Sequence, residues 1–176
     1  MALVEQKQEN PMRRIFVEKV VINIGVGQAG ERVEKALRVL SELTGRKPVP
    51  TRARKSVRDF GIRRGENIGV KVTLRGSEAQ ALLMRLLEAK GKRLPARAFD
   101  EGGNFSFGIK EHIEIPGMKY DPEVGIFGMD VCVSLARPGY RVARRRRARS
   151  RVGRPQRVSR EEAIEYVRGV LGVEVA

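Results

Sequence analysis

Thr44 to Arg75 reads TGRKPVPTRARKSVRDFGIRRGENIGVKVTLR, with ten basic residues against two acidic ones, Asp59 and Glu66. It opens on a helix-stopping glycine, Gly45, and passes through Pro48 and Pro50, which a helix interior or a central strand does not accept. Gly61, Gly65 and Gly69 punctuate the middle. It closes on alternation, Val70-Lys71-Val72-Thr73-Leu74-Arg75, the period of a half-buried strand. The pattern predicts a basic loop mounted on a sheet, and a polyanion as its partner.

The surrounding elements follow the same logic. Phe16 to Ile24 alternates as a strand, with Val20, Ile22 and Ile24 on one face and Lys19, Val21 and Asn23 on the other. Val33, Ala36, Leu37, Leu40 and Leu43 recur at helical spacing between Glu31 and Leu43, and Gly45 stops that helix. A capping pattern at Ser77 and Gln80 opens a second helix burying Leu82, Leu83, Leu86 and Leu87. Gly91 to Asn104 reads mostly as loop. Two further strands alternate through Phe105, Phe107 and Ile109, and through Met129, Val131, Val133 and Leu135, with a loop from Pro116 to Gly128 between them. Ser159 and Glu162 cap a last helix, Arg160 to Leu171, which Gly172 ends. The expected fold is α+β: a mainly antiparallel sheet in one domain, helices on one face and the other face open. That open face shows Lys19, Asn23, Lys71, Thr73, Arg75 and Lys110.

Charge narrows the function. The chain carries a formal +15 in 176 residues with a sequence pI of 10.8. A second run, Arg137 to Arg160, holds eleven arginines and no acid. The two runs exceed the total, so the rest of the chain is net negative and the positive charge is placed rather than spread. Nucleic acid is the partner this implies, well ahead of an anionic membrane surface. Residues 137–158 are too polar to form a core and read as an insert that orders on RNA. Residues 1–14 read as an N-terminal arm. One cysteine (Cys132) and one histidine (His112) leave no intrachain disulfide and no ordinary zinc site. His112 reads as an ordinary strand residue, since no nucleophile is placed beside it. The absence of an apolar leader or a ~20-residue apolar run makes a soluble intracellular protein the expectation.

Gly25-Val26-Gly27-Gln28-Ala29-Gly30 is a literal GxGxxG between a strand and a helix. A dinucleotide site also requires an acid about twenty residues on, where this chain has Arg46 to Arg54, two prolines and no acid. A flexible turn accounts for the glycines. No cofactor is expected.

Several blocks together resemble the large-subunit ribosomal protein five family. They are Leu43 to Pro48 followed by Thr51 to Val57, with KVVINIGVG, FGIRRGENIGVKVTLRG, GNFSFGIKEHIEIPGMKYDP and GIFGMDVCVSLARPGYRV in order. The likeness runs from about Asn10 to Gly169. The short N-terminus and the arginine-rich insert resemble the archaeal and eukaryotic branch. The resemblance implies a non-catalytic protein that binds 5S rRNA in the central protuberance of the large subunit. It also implies contacts to P-site tRNA, large-subunit rRNA, neighbouring central-protuberance proteins and a small-subunit head protein through an intersubunit bridge, with no homo-oligomer. By motif, 5S rRNA would meet Asn23, Arg46, Lys47, Thr51, Lys71, Thr73 and Arg75. The tRNA would meet Arg54, Lys55, Arg58, Phe60, Arg63 and Arg64. Arg141, Arg144, Arg145, Arg146, Arg147, Arg149 and Arg151 of the insert would meet other RNA. Arg46 stands where many members have Gln, exchanging an amide's paired donor and acceptor for donors only.

Each residue also has a plainer reading. Asn23 would simply face solvent, Thr73 would serve β propensity, and Phe60 would pack its own loop instead of stacking on a base. Two other functions stay open at this level: a general nucleic-acid chaperone or packaging protein, and a dinucleotide enzyme.

Overall fold

The computed structural model describes residues 10–176. The part of the N-terminal arm before Asn10 lies outside them. Five strands form one antiparallel sheet: β1 (Phe16–Gly25), β2 (Val49–Arg52), β3 (Asn67–Leu74), β5 (Phe105–Ile109) and β6 (Met129–Ala136), in the order β2-β3-β1-β6-β5. Two-residue strands β4 (Arg93–Leu94) and β7 (Glu174–Val175) pair in parallel apart from it. Helices α1 (Glu31–Thr44), α2 (Gly76–Ala89) and α3 (Arg160–Leu171) complete the α+β fold expected from the periodicities.

Alternation explains the core. Val20, Ile22 and Ile24 of central β1 are fully buried, and on its neighbours Val70, Val72, Leu74, Val131, Val133 and Leu135 join them. α1 contributes Val33, Ala36, Val39, Leu40 and Leu43, and α2 contributes Ala79, Leu82, Leu83, Leu86 and Leu87. Gly45 ends α1 in the left-handed conformation (φ 63°), its N–H donating to the Ser41 carbonyl. At α3 the reciprocal box forms as the spacing predicts: the Glu162 N–H donates to Ser159 Oγ, and the Ser159 N–H to the Glu162 carboxylate.

Some expectations change. α2 has no side-chain cap: Gly76, at φ 69°, reverses the chain in one step, so Ser77 already lies inside the first turn. Pro50 sits in a strand after all, because β2 is the sheet edge, where a missing donor is tolerated. His112 lies in a 3-10 turn, His112–Glu114, not a strand. It is buried, its Nδ1 accepting the Phe127 N–H at 3.3 Å while its own backbone N–H donates to the Phe127 carbonyl. The ring thus closes the base of the loop before β6.

β1 carries one irregularity that matters for function. Val17 pairs with Leu135 and Lys19 with Ser134, leaving Glu18 as the extra residue of a bulge. Val17 and Val20 both stay buried across it, so Glu18 and Lys19 emerge together on the side away from the core.

Candidate nucleic-acid interface

The face of the sheet away from the helices is open, and register maps it. Lys71 of β3 stands opposite Asn23 of β1, which stands opposite Asp130 of β6 and then Gly108 of β5. The next row is Thr73, Val21, Cys132 and Ser106. On the far side of Lys71 lies Val49 of β2, more than half exposed. The face is therefore divided. Its β2–β3–β1 half carries the cations and the amide, while its β6–β5 half carries small or neutral side chains and one acid. Lys110, placed on this face by the alternation, follows β5 at the opposite edge. Three strand spacings, about 14 Å, separate that edge from β3.

Arg46, Lys47, Lys71, Thr73 and Arg75 line one groove of about 550 Å³ with Val49 and Glu78. Five of the seven residues suggested for 5S rRNA thus come together although they span thirty positions. Asn23 borders the groove through Lys71, and Thr51 lies two residues along β2 from Val49, opposite Gly69. The close approach there requires glycine: a Cβ on Gly69 would stand 2.8 Å from both the Ile24 carbonyl oxygen and Thr51 Oγ1.

Two acids that the motif reading passed over shape this groove. Glu78, in the first turn of α2, takes Arg46 in a two-pronged pair, Nε to Oε2 at 3.0 Å and Nη2 to Oε1 at 2.6 Å. Hydrogen bonding first, and then charge, raise the Arg46 pKa and lower that of Glu78. Glu18 accepts from Arg75 Nη1 at 3.3 Å and also from Arg144 of the insert. The bulge at Glu18 has no signature in an alternating pattern, so sequence reading had no means of finding the second contact.

The loop between β2 and β3 is a closed finger. The Ala53 N–H donates to the Glu66 carbonyl at its base, and Val57 and Ile62 exchange both backbone hydrogen bonds midway. The Gly61 N–H donates to the Arg58 carbonyl at the tip. The Arg64 N–H donates to Ser56 Oγ, and the Arg63 N–H to Glu66 Oε2. Arg54, Lys55, Arg58, Phe60, Arg63 and Arg64 are all exposed. Phe60 is 73% exposed, so it does not pack its own loop; the ring stands at the tip, free to stack.

The arginine-rich segment is anchored at its ends by groups outside it and by bonds that join its two ends. Arg137, buried, donates from Nη2 to Glu162 Oε1 at 2.7 Å. Gln156 donates to the carbonyls of Met12 and Pro138, which links Met12 to the segment, and the Val158 N–H donates to Tyr140 Oη. Burial opposes ionisation of Glu162, but the Ser159 N–H and Arg137 prevail and hold its carboxyl below the usual range. Arg137 therefore belongs to the core. Arg141, Arg144, Arg145, Arg146, Arg147, Arg149 and Arg151 are exposed.

Two amides of the GVGQAG turn are used internally: the Val26 and Gly27 N–H groups both donate to the Ile68 carbonyl at 3.0 Å. β1 also lies between antiparallel neighbours, unlike the parallel strand that a dinucleotide fingerprint requires.

Comparison with known proteins gives the family. The family profile described as ribosomal protein L5 matches residues 10–63, and the profile for the C-terminus of the same ribosomal family matches residues 67–166. This chain belongs to the ribosomal protein L5 family. It is 60% identical to the large ribosomal subunit protein uL5 of Pyrobaculum aerophilum, over 94% of this chain and 93% of that one. It is 54% identical to uL5 of Sulfurisphaera tokodaii over 98% of each chain. With uL5 of Archaeoglobus fulgidus the identity is also 54%, over 95% of this chain and 93% of that one. As an L5-family member it is a structural component of the large ribosomal subunit, serving translation without catalysis.

Proposed function

We propose that this protein binds 5S rRNA through the β2–β3–β1 half of its open sheet face and attaches it in the central protuberance of the large subunit. One observation carries the reading: residues scattered from 46 to 75 converge on a single groove that offers cations and a hydroxyl, bordered by the amide of Asn23. Cations fix phosphates, while hydroxyl and amide groups suit 2′-hydroxyls and base edges. The finger would extend from the same sheet edge toward P-site tRNA. Contacts to large-subunit rRNA, to neighbouring proteins of the protuberance and across an intersubunit bridge to the small-subunit head complete the proposal.

The test is labelled 5S rRNA in competition with excess tRNA and duplex DNA at two salt concentrations, using wild type, Arg75→Ala and Thr73→Val. Each substitution should weaken binding by roughly 1–3 kcal/mol with the fold intact, and specific binding should survive competitor at the higher salt. Equal competition by all three nucleic acids would instead describe a general basic chaperone. Unchanged affinity in both variants would put the RNA elsewhere.

A further inference from the structure

Resting on that reading of the sheet face, we propose that Glu18 joins the arginine-rich segment to the face, so that Arg75 and Arg144 form one two-guanidinium clamp on phosphates of the same RNA.

Both arginines donate to the same oxygen, Oε1 of Glu18. Hydrogen-bond lengths alone then hold the two donor nitrogens within about 6 Å of each other. They come from positions 69 residues apart, one at the end of β3 and the other in the segment before α3. The carboxylate lies underneath: its side chain is 15% exposed, against 56% for Arg75 and 52% for Arg144. Each guanidinium uses one N–H on Glu18 and keeps others of its five donors toward solvent, in the fork geometry that suits phosphate. Two cations over one anion leave a net positive charge at the surface. A carboxylate on its own would repel RNA here, but placed beneath two arginines it fixes their spacing. Arg75 also lines the groove with Lys71 and Thr73, so the clamp continues that groove. The segment's basic surface is thereby directed at the RNA on the sheet, rather than at a separate RNA or a protein.

Cys132, exposed on the open face and the only cysteine of the chain, gives a natural tether for an iron chelate that cleaves nearby RNA. A second protein, Cys132→Ser with Ser150→Cys, carries the chelate on the segment. In complexes with isolated 5S rRNA, both probes should cut, at overlapping or adjoining nucleotides. Cutting from Cys132 but not from position 150 would overturn the clamp and leave the sheet reading standing. Absence of 5S cutting from Cys132 would overturn the sheet reading itself.

A binding cycle sharpens the result. Arg75→Ala and Arg144→Ala should each weaken 5S binding about tenfold, as for a lost charged hydrogen bond. The double variant should lose clearly less than the product of the two, because one clamp is broken either way. Strict multiplication of the two losses would show independent contacts and no clamp. Both side chains are exposed, so matching thermal unfolding curves confirm that the variants fold.

Discussion

The finger at residues 53–66 and the arginine-rich segment at 137–158 are both strongly basic, yet only the segment depends on distant side chains to hold it. The finger closes on itself: every backbone bond that shapes it runs between residues at most thirteen positions apart. Its cations are left pointing outward. The segment has bonds of its own, from Gln156 to the Pro138 carbonyl and from the Val158 N–H to Tyr140 Oη, but it is also held from outside, by Glu18 of β1, by Glu162 of α3 and by the carbonyl of Met12. Its arginines are divided as a result. Arg137 is consumed by the core, Arg144 is shared with the sheet, and most of the others face solvent. The comparison shows that a run of like charge is not one object. What each cation does depends on which distant acid the fold brings to it.

The largest effect should come from Glu162→Ala, which leaves Arg137 buried without its carboxylate. Breaking a buried pair costs 3–5 kcal/mol, and since Glu162 is itself partly exposed the lower end applies, about 3 kcal/mol in urea unfolding. The counterpart in the finger, Glu66→Ala, removes one exposed bond to the Arg63 N–H and should cost about 1 kcal/mol or less. Equal losses would mean that the two regions are held alike.

Next come two glycines with positive φ. At Gly103 (φ 73°) a Cβ would meet Val158 Cγ1 at 2.6 Å, whereas at Gly61 (φ 63°) it meets nothing within 4 Å. Gly103→Ala should therefore lose about 2–3 kcal/mol from strain and overpacking together. Gly61→Ala should lose only the backbone strain, about 1 kcal/mol. Thermal or urea unfolding of the pair measures the difference.

A smaller difference is read by pH. Because the Glu162 carboxyl is held below its usual range in the folded chain, its ionised form favours folding. That contribution is fully present above the ordinary glutamate value of about 4.3 and is lost as pH falls through the lowered folded value. The stability gap between wild type and Glu162→Gln should narrow over that acid range. A gap that widened with acid would reverse the assigned direction.

The smallest change in stability is expected in the finger. Arg63→Ala with Arg64→Ala should alter unfolding by no more than about 0.5 kcal/mol, since both side chains are exposed. The same variant should spare 5S binding and weaken tRNA contact on assembled ribosomes. Collapse of 5S affinity would merge the finger with the sheet interface.

Legibility followed locality. Strand alternation and helical spacing predicted β1, α1, α3 and the inward faces of β3, β5 and β6, because each signal is complete within one element. The cations of the groove were also visible, in TGRKP and VKVTLR. Edge strand β2 was not, since Pro50 argues against a strand until a sheet edge is known to receive it. Nor was the division of the open face: alternation placed Lys110 with Lys71 although three strand spacings intervene. Glu78 and Glu18 passed for surface charge, for nothing within their own elements marks them.

By itself, then, the sequence determined an antiparallel sheet with a covered face, where helices stop, and where positive charge is concentrated. Periodicity, glycine conformation and composition act over a few residues, and so can be read from them. Tertiary structure alone decided which acid meets which arginine: Glu78 with Arg46, Glu162 with Arg137, and Glu18 with both Arg75 and Arg144. Those pairs join residues 25 to 126 positions apart. Such distances are closed by strand register and one bulge in β1, which depend on how the whole core packs.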